Sequence, residues 1–573
     1  MWPSGTHPHS RCACRRTPCA TGPPIRGPPP PNCRISAKPI HRAWRPSCTD
    51  RLSTAGSTSR QRMPDSPGSG LARTTASLAI AAVSGVITAL AFAPFGLWPL
   101  AFLGVLGVLA VQWRTSARLS MLLGYVFGFT FFLVLLPWMT VIGTDAWLVL
   151  SAYCALWNGV FGATVGPLSR IRGGPWWVAS AWVVMEALRG RIPLGGFPWG
   201  ELAFSQGNSP MAALGALAGM VGITFLIVLI AGLVIESVRT RGWILSLSVI
   251  VVVGVVALLI PRPLEFGGTS STATVAAIQG GTPGTGMEAL DVRRAVLQNH
   301  VDQTLSLAQA VDAGEVPRPD FVLWPENSSD IDPYRDETVA ADISATAAAV
   351  GAPILVGAVV QTDDPTKVEN SGIVWDPRTG AGDRYVKNYP VPFGEFVPFR
   401  EQLAPLIGRF ERVPRDFVGG DEAGVLEIGG VVIGDAICFE VAYDDVFTSV
   451  IDGGAELITV QTNNATYQGT GQPAQQWDIE RMRALQTGRT VVVASTTGIS
   501  GVIAADGTVT ERLDEGERGY LVAEVELRTG RTPSTLIGPL PEIAAGVAMG
   551  FGLVILGYLR WRRRVAKAGN VPG

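Results

Sequence analysis

The sequence predicts a polytopic α-helical membrane bundle of about eight spans that carries an extracytoplasmic α/β domain. The first observation is composition: of 573 residues, 47% are hydrophobic and only 16% are charged, which is typical of membrane proteins. The second is a series of apolar stretches, most of them near the ~20 residues that cross a bilayer as a helix. The third is a segment of about 270 residues, before the last apolar stretch, in which strand patterns alternate with helical patterns.

The chain begins with a segment, residues 1–72, that is rich in Pro, Arg, Ser and Gly and contains the run GPPIRGPPPP. This composition predicts disorder, because such a segment buries too little apolar surface to offset the entropy lost on folding. Its clustered cysteines lack the paired CxxC spacing of a zinc module. Because Met63 opens a more ordinary N-terminal sequence, we expect translation to start near it and residues 1–62 to be a start-site artefact.

Eight apolar stretches follow, seven of them within residues 73–263. Their predicted limits are 76–93, 97–113, 119–138, 146–168, 175–188, 211–236, 243–260 and 541–560. Lys or Arg residues follow the second, fourth, sixth and eighth stretches, whereas the loops after the first and third stretches have none. By the positive-inside rule, the basic ends, both termini and the basic tail 561–573 are therefore cytoplasmic. We expect a multi-pass protein of the plasma membrane.

Two arginines break this charge rule. Arg189 and Arg191 follow the fifth stretch, on the side predicted to be external. Either the span count is wrong at this point or the two arginines have a function. Contact with lipid phosphate and simple anchoring at the membrane interface are the two interpretations. In the sixth stretch, Gly215 and Gly219 form a GxxxG pattern, which weakly favours close helix packing.

The α/β domain is predicted to span residues 268–535, outside the cytoplasm. Short runs rich in β-branched residues predict strands, and helical patterns lie between several of them. The strands are expected at 272–279, 321–326, 353–360, 430–438, 456–462 and 490–496, the helices at 292–311, 337–350 and 473–488, and a hairpin turn at Asp506-Gly507. The sequence therefore predicts a layered sheet-and-helix domain that is attached to the membrane at both ends.

Composition also excludes several kinds of site. The net charge of −2 and the lack of a basic patch outside the N-terminal segment argue against nucleic-acid binding. Only four histidines occur, and His300 alone lies in the foldable part, where a surface or capping role is its ordinary interpretation. A histidine-rich metal site therefore has no ligands, and we expect neither a metal nor another cofactor.

Polar side chains follow three of the predicted strands. Glu326 stands in FVLWPE, Lys387 ends the short strand before KNYPVPFGEFVPF, and Cys438 ends GVVIGDAIC. Each of them alone is more often structural: a helix cap, a solvated charge or a small buried thiol. Together they supply a carboxylate that can accept a proton, a cation that can stabilise an oxyanion, and a nucleophile. The carboxyl ends of strands are common sites in layered α/β folds.

The segments WPE, KNYPVPFGEFVP and GDAICFE resemble the three catalytic motifs of the nitrilase superfamily, the carbon–nitrogen hydrolases. That superfamily has an αββα sandwich fold. A domain of this type between the seventh and eighth spans resembles the apolipoprotein N-acyltransferase family, and GGFPWGELAFSQ at residues 195–206 is similar to that family's membrane-side loop. The resemblance covers roughly residues 76–560. One departure is that Met287 stands near a place where the family often has tryptophan.

The resemblance implies roles for ten residues. Cys438 would be the nucleophile, Glu326 the general base and Lys387 the oxyanion stabiliser, with the backbone N–H of Phe439 as a second donor. The supporting residues would be Glu395, Phe439 and Glu440, and the acyl chain would rest against substrate-binding aromatics, for which ordinary packing is the alternative. The aromatics expected to contact the acyl chain are Phe393, Phe396 and Phe399, and Trp199 is a further expected substrate-binding residue.

The resemblance also implies a two-step reaction. Cys438 would take an acyl chain from a phospholipid as a thioester and pass it to the N-terminal amine of a diacylated apolipoprotein. The partners would be that donor, that acceptor and the membrane, and the protein would be a monomer. Two alternatives stay open: a membrane-tethered amidase that acts on a small external amide, and a non-catalytic lipid or lipoprotein carrier.

Overall fold

The computed structural model describes residues 67–568, except 267, 269, 289–291 and 293. The predicted start-site artefact at residues 1–62 lies outside the described residues, as does most of the segment that was predicted to be disordered. The described part begins with a helix at Pro67, inside that segment. At the other end, the basic tail continues the last helix as far as Ala568.

Eight helices occupy the positions of the eight predicted stretches. They are α1 (Pro67–Ala89), α2 (Pro99–Gln112), α3 (Ala117–Leu135), α4 (Thr144–Leu168), α5 (Gly174–Arg189), α6 (Gly215–Thr240), α7 (Trp243–Leu259) and, after the α/β domain, α14 (Leu540–Ala568). By length and composition, five of them can cross a membrane: α1, α3, α4, α6 and α14. Helices α2 and α7 are apolar but shorter, and α5 has 16 residues.

Small residues bring α3 and α4 into close contact. A Cβ atom at Gly124 would lie 2.3 Å from the carbonyl oxygen of Asn158, and one at Gly162 would lie 2.4 Å from that of Ser120. Glycine is therefore required at both positions, as is typical where membrane helices approach closely. The GxxxG pattern in α6 has a different origin, because Gly219 has φ of +64° and lies at a kink in that helix.

The α/β domain contains two sheets. The first sheet has the strand order β13-β1-β2-β3-β4-β5, with β6 paired to β4, and the second has the order β12-β11-β10-β9-β8-β7. The strands are β1 (Ser270–Gln279), β2 (Phe321–Leu323), β3 (Ile354–Gln361), β4 (Lys367–Asp376), β5 (Gly380–Val386), β6 (Asp416–Phe417), β7 (Val425–Ile428), β8 (Val431–Ile437), β9 (Leu457–Thr462), β10 (Val491–Ser495), β11 (Ser500–Ile503), β12 (Val509–Leu513) and β13 (Gly519–Arg528).

The remaining helices of the domain are α8 (Ala295–Asp312), α9 (Glu337–Val350), α10 (Arg400–Leu403), α11 (Asp444–Asp452), α12 (Gln472–Thr487) and α13 (Pro533–Ile537). Helices α8 and α9 cover the outer face of the first sheet, and the two sheets pack on each other through a second apolar cluster. Helices α11 and α12 cover the second sheet. The predicted αββα sandwich is thus confirmed.

The second helical layer also joins the domain to the membrane helices. Side chains of α11, α12 and the second sheet share one apolar cluster with side chains of α1 to α6. The first and last strands lie side by side, since β1 pairs antiparallel with β13 from Ser270↔Arg528 onward. The chain therefore leaves α7 and returns to α14 at neighbouring points of the domain.

Candidate active site

Three strand ends bring the predicted catalytic side chains together. Glu326 lies three residues after β2, and Lys387 and Cys438 directly follow β5 and β8. The ammonium Nζ of Lys387 lies 3.0 Å from Oε1 of Glu326. The thiol of Cys438 is near enough to both for their charges to act on its ionisation. The sheet topology therefore places a carboxylate, an ammonium and a thiol at one site.

Lys387 is held between two carboxylates. Its Nζ donates to Oε1 of Glu326 and to Oε1 of Glu395, both at 3.0 Å, and its side chain is only 2% exposed. Burial alone would lower the pKa of Lys387, but the negative charges of Glu326 and Glu395 outweigh burial and raise this pKa well above its ordinary value. The lysine is therefore a fixed cation.

Asn370, in β4, completes this network. Its side-chain amide donates to Oε1 of Glu326 at 2.7 Å and to Oε1 of Glu395 at 3.0 Å. The other oxygen of Glu326 accepts a bond from the backbone N–H of Asn463 at 2.8 Å, and Oε2 of Glu395 accepts one from Val391 at 2.6 Å. These bonds fix the orientation of both carboxylates. Asn370 and Asn463 were not predicted as site residues, although Asn463 directly follows β9 and carries the same strand-end signal.

The backbone at Cys438 is strained. Its φ of +56° lies in the left-handed region, which a residue with a side chain rarely adopts. The strand β8 ends here and a single 3₁₀ turn over Cys438–Ala442 begins. The chain changes direction sharply here, and Cys438 is partly buried against the core between the two sheets while part of its surface stays exposed.

Glu440 holds that turn in place. Its carboxylate accepts bonds from the backbone N–H of Ile437 at 2.8 Å, from Asn388 at 2.7 Å and from the hydroxyl of Tyr385 at 2.9 Å. Burial raises the pKa of Glu440 to about 7, an effect that these donors oppose. The side chain has no exposed surface. Glu440 therefore connects the turn at Cys438 to the segment after Lys387 through hydrogen bonds. It does not line the site, because it is fully buried.

The environment of the thiol favours its protonated form. Burial raises the pKa of Cys438 above its ordinary value, and the negative charge of Glu326 raises it further. Lys387 and a hydrogen bond with Thr462 act in the opposite direction but do not compensate. The resting nucleophile is therefore a thiol, and a base must accept its proton during attack.

An aromatic stack connects this site to the loop at residues 195–206, which follows α5 and is called the membrane loop below. The ring of Phe439 stacks on Phe197, with centroids 5.8 Å apart, and on Trp199, with centroids 5.7 Å apart and planes 6° from parallel. Trp199 is buried, and its indole N–H donates to Gln475 at 2.8 Å. The predicted substrate-binding Trp199 thus lies behind Phe439, as a support of the residue that follows the nucleophile.

The other predicted aromatics lie on the segment between β5 and β6. Phe393 is 48% exposed and Phe399 is 71% exposed, while Phe396 is partly buried. The ring of Phe393 stacks on Phe410 at 6.0 Å. Arg409, on the same segment, pairs with Asp145 in the first turn of α4. The exposed rings therefore belong to a segment that also contacts the membrane helices.

The two arginines that break the charge rule have different environments. Arg189 is buried, and its guanidinium donates to the carbonyl oxygens of Phe197 and Trp199, at 2.7 and 2.5 Å. The lipid-phosphate interpretation therefore fails for Arg189, because the membrane loop itself occupies this side chain. Arg191 is exposed and pairs with Glu542 at 3.0 Å.

His300 and Cys154 are both buried in the described structure. The ring nitrogen Nδ1 of His300 contacts the carbonyl oxygen of Val296 at 2.7 Å, so this histidine packs inside the domain and is not a surface residue. Among residues 67–568, as far as they are described, no three His, Cys, Asp or Glu side chains are grouped to hold a metal ion.

Comparisons with known proteins give a consistent result. The family described as Apolipoprotein N-acyltransferase N-terminal domain matches residues 84–233, and the family described as Carbon-nitrogen hydrolase matches residues 274–532. An amidase from Nesterenkonia sp., among solved structures, covers 47% of this chain and 93% of its own at 17% identity, with a TM-score of 0.31.

Two relatives align along most of their length. The apolipoprotein N-acyltransferase of Mycolicibacterium smegmatis is 37% identical over 84% of this chain and 86% of its own. That of Vibrio cholerae is 29% identical over 85% of this chain and 97% of its own. Together with the two family matches, this similarity shows that the chain belongs to the apolipoprotein N-acyltransferase family.

Proposed function

We propose that this enzyme transfers an acyl chain from a membrane phospholipid, through a thioester on Cys438, to the N-terminal amine of a diacylglyceryl-cysteine lipoprotein. The observation that carries the proposal is the position of Lys387 between Glu326 and Glu395 beside the Cys438 turn. Family membership supports the nature of the reaction. Helices α11 and α12 pack against the membrane helices, and this contact supports the proposal that the substrates stay in the bilayer.

In the first step, Cys438 attacks the ester carbonyl of the phospholipid while its proton moves to Glu326. Because the thiol is protonated at rest, this proton transfer accompanies S–C bond formation. The resulting oxyanion faces the ammonium of Lys387 and the backbone N–H of Phe439. The ester C–O bond then breaks, and the leaving lysophospholipid oxygen takes the proton from Glu326.

In the second step, the neutral amine of the lipoprotein attacks the thioester carbonyl. Glu326 accepts a proton from the attacking nitrogen, and Lys387 again stabilises the oxyanion. The C–S bond breaks, the amide is released, and the Cys438 sulfur takes the proton back. One ester and one amine thus become one amide and one alcohol, and the enzyme returns to its starting state without ATP.

The supporting residues have distinct roles in this proposal. Glu395 shares Lys387 with Glu326 and so fixes the ammonium between them. Glu440 holds the turn that presents Cys438, and Phe439 forms the wall beside it. Phe393 and Phe396 contact the acyl chain, and Trp199 supports Phe439 from the membrane side.

We extend the proposal to the placement of the chain in the membrane. All eight apolar helices span the bilayer, the α/β domain is extracytoplasmic, and both termini are cytoplasmic. The charge distribution along the sequence supports this orientation. The enzyme acts as a monomer. Its partners are the phospholipid donor, the diacylated apolipoprotein acceptor and the membrane.

The test is intact-protein mass spectrometry of the purified chain after incubation with phosphatidylethanolamine. We expect a mass gain of one fatty acyl chain that hydroxylamine removes and that Cys438→Ala abolishes. Addition of a diacylated lipopeptide should then discharge the enzyme and yield a triacylated product. A folded protein without any adduct, or one that discharges only to water, would contradict acyl transfer. The second result would favour the amidase alternative.

A further inference from the structure

A single glutamine joins the α/β domain to several membrane segments. Gln475 lies on α12 and is buried. Its side-chain Nε2 donates to the carbonyl oxygens of Ala93, at 3.1 Å, and Leu135, at 2.9 Å. Its Oε1 accepts bonds from the indole N–H groups of Trp138, at 3.1 Å, and Trp199, at 2.8 Å.

These four bonds use the full capacity of the amide, which has two donor hydrogens and two acceptor lone pairs. They end on the segment after α1, on the last residue of α3, on the turn that follows α3 and on the loop after α5. The surrounding interface is otherwise an apolar cluster, and apolar packing is not directional. The amide therefore fixes an orientation between the domain and the membrane segments that the apolar contacts do not specify.

Two contacts connect Gln475 to the residue after the nucleophile: Gln475 bonds to Trp199, and Trp199 stacks on Phe439. Trp199 is parallel to the ring of Phe439, with planes 6° apart, and Phe439 directly follows Cys438. The Trp138 ring meets Trp199 edge to face at 6.0 Å and meets Tyr467 in the same way at 5.1 Å. A change in the position of Trp199 would thus move the wall of the site against which the nucleophile turn rests.

We propose that Gln475 is a positioning residue for acyl transfer from the bilayer: through Trp199 and Phe439 it aligns the Cys438 turn with the membrane helices. This inference rests on the proposed function, because it concerns the approach of a lipid ester to Cys438. It assigns no chemical step to Gln475, which does not contact the thiol, Glu326 or Lys387 by any hydrogen bond.

The test compares a lipid reaction with a soluble one in the same variant. Full-length wild type and Gln475→Leu are reconstituted into vesicles of phosphatidylethanolamine and phosphatidylglycerol. Thioester formation on Cys438 and alkylation of Cys438 by iodoacetamide are each measured by peptide mass spectrometry and normalised to folded protein. We expect thioester formation to fall about 10²-fold, the scale of a small misplacement of reacting groups, while alkylation changes less than about twofold.

Gln298→Leu is the matched control, because Gln298 is an exposed glutamine of α8 on the other face of the domain. Its rates should equal those of wild type. Equal thioester rates in Gln475→Leu and wild type would overturn the inference, and so would a parallel fall in alkylation, which would indicate damage to the thiol site itself. If wild type forms no thioester, the proposed function fails first, so the two failures are distinguishable.

A second variant keeps the test decisive if Gln475→Leu does not fold. Trp199→Phe keeps an aromatic ring beside Phe439 and removes one of the four hydrogen bonds. We expect a smaller loss of thioester formation, about tenfold, with alkylation unchanged. Where both variants fold, the double variant should be no slower than Gln475→Leu alone, because both changes break the same connection. Additive losses would contradict the proposed relay.

Discussion

Lys387 and Arg189 are both long cationic side chains with almost no exposed surface, yet their partners differ in kind. Lys387 lies between two carboxylates, which in turn accept bonds from Asn370. Arg189 donates to two backbone carbonyls of the membrane loop. Lys387 therefore belongs to a charged network beside the Cys438 thiol. Arg189 holds the backbone of the membrane loop.

Burial of a charge therefore does not by itself mark a catalytic site. The neutral carbonyl partners of Arg189 accept bonds from one nitrogen of its guanidinium and hold the loop backbone in place. A pair of carboxylates instead fixes the protonation state of the ammonium and leaves it able to stabilise a developing negative charge. Three substitutions and one pH profile test this distinction, in decreasing order of their expected effect on reaction rates.

The largest effect is expected for Glu326→Gln. The variant keeps the shape of the side chain but cannot accept the proton of Cys438, so thioester formation should fall between about 10² and 10⁴-fold. Alkylation of Cys438 at high pH, where hydroxide removes the proton, should remain. Mass spectrometry of acylated and alkylated protein measures both. A variant that forms the thioester at a wild-type rate would remove Glu326 from the role of base.

Lys387→Met should lower the rate of thioester formation about 10² to 10³-fold, the cost of removing one oxyanion donor. Lys367→Met is the matched control, because Lys367 is an exposed lysine that pairs with Asp364. The same acylation assay measures both variants. Equal rates in the two would show that Lys387, like Arg189, has only a structural function.

The pH dependence of Cys438 alkylation tests the electrostatic part of the comparison. Since burial and Glu326 raise the pKa of the thiol, the thiolate fraction should still be rising with pH where an unshifted thiol is already ionised. An unshifted thiol, with a pKa of about 8.5, would reach a plateau above about pH 9. Glu326→Gln should shift the profile to lower pH, because it removes a charge that raises this pKa. A plateau near pH 9 in wild type would contradict the assignment.

The smallest effect on the chemistry is expected for Arg189→Met. The variant leaves the carbonyls of Phe197 and Trp199 without donors, which should cost about 1.5–3 kcal/mol of stability for each lost charged bond. Thermal unfolding in detergent should therefore show a lower midpoint, with Cys438 alkylation per folded molecule within about threefold of wild type. Unchanged stability combined with lost phospholipid acylation would restore the lipid-phosphate role of Arg189.

Much of the α/β domain could be predicted from local patterns. The helix expected at 337–350 has those limits in the structure, and the one expected at 473–488 lies at Gln472–Thr487. The strands with runs of β-branched residues were also predicted to within two residues of their limits, except that the strand expected at 321–326 already ends at Leu323. Strand β4 was missed, because its sequence KVENSGIVWD begins with polar residues and its position depends on pairing with β3 over its whole length.

The site could be predicted in part, because some of its residues directly follow predicted strands and others do not. Glu326 and Lys387 follow strands of the first sheet that run in the same direction, so their proximity follows from the pattern. Cys438 follows a strand of the second sheet and meets them through the packing of the two sheets. Asn370 lies inside a strand and carries no such signal. The function of Arg189 and Gln475 depends on carbonyl groups and indoles that are distant along the chain, which no local pattern contains.

The pairing of β1 with β13 has a mechanical consequence. The two strands are antiparallel, and the ends that lead to α7 and α14 lie next to each other at Ser270 and Arg528, with a further bridge between Phe266 and Arg531. A lateral force that pulls these helices apart would load both strands from the same end. Their hydrogen bonds would then open one after another, as in a zipper, and would not share the load as in shear.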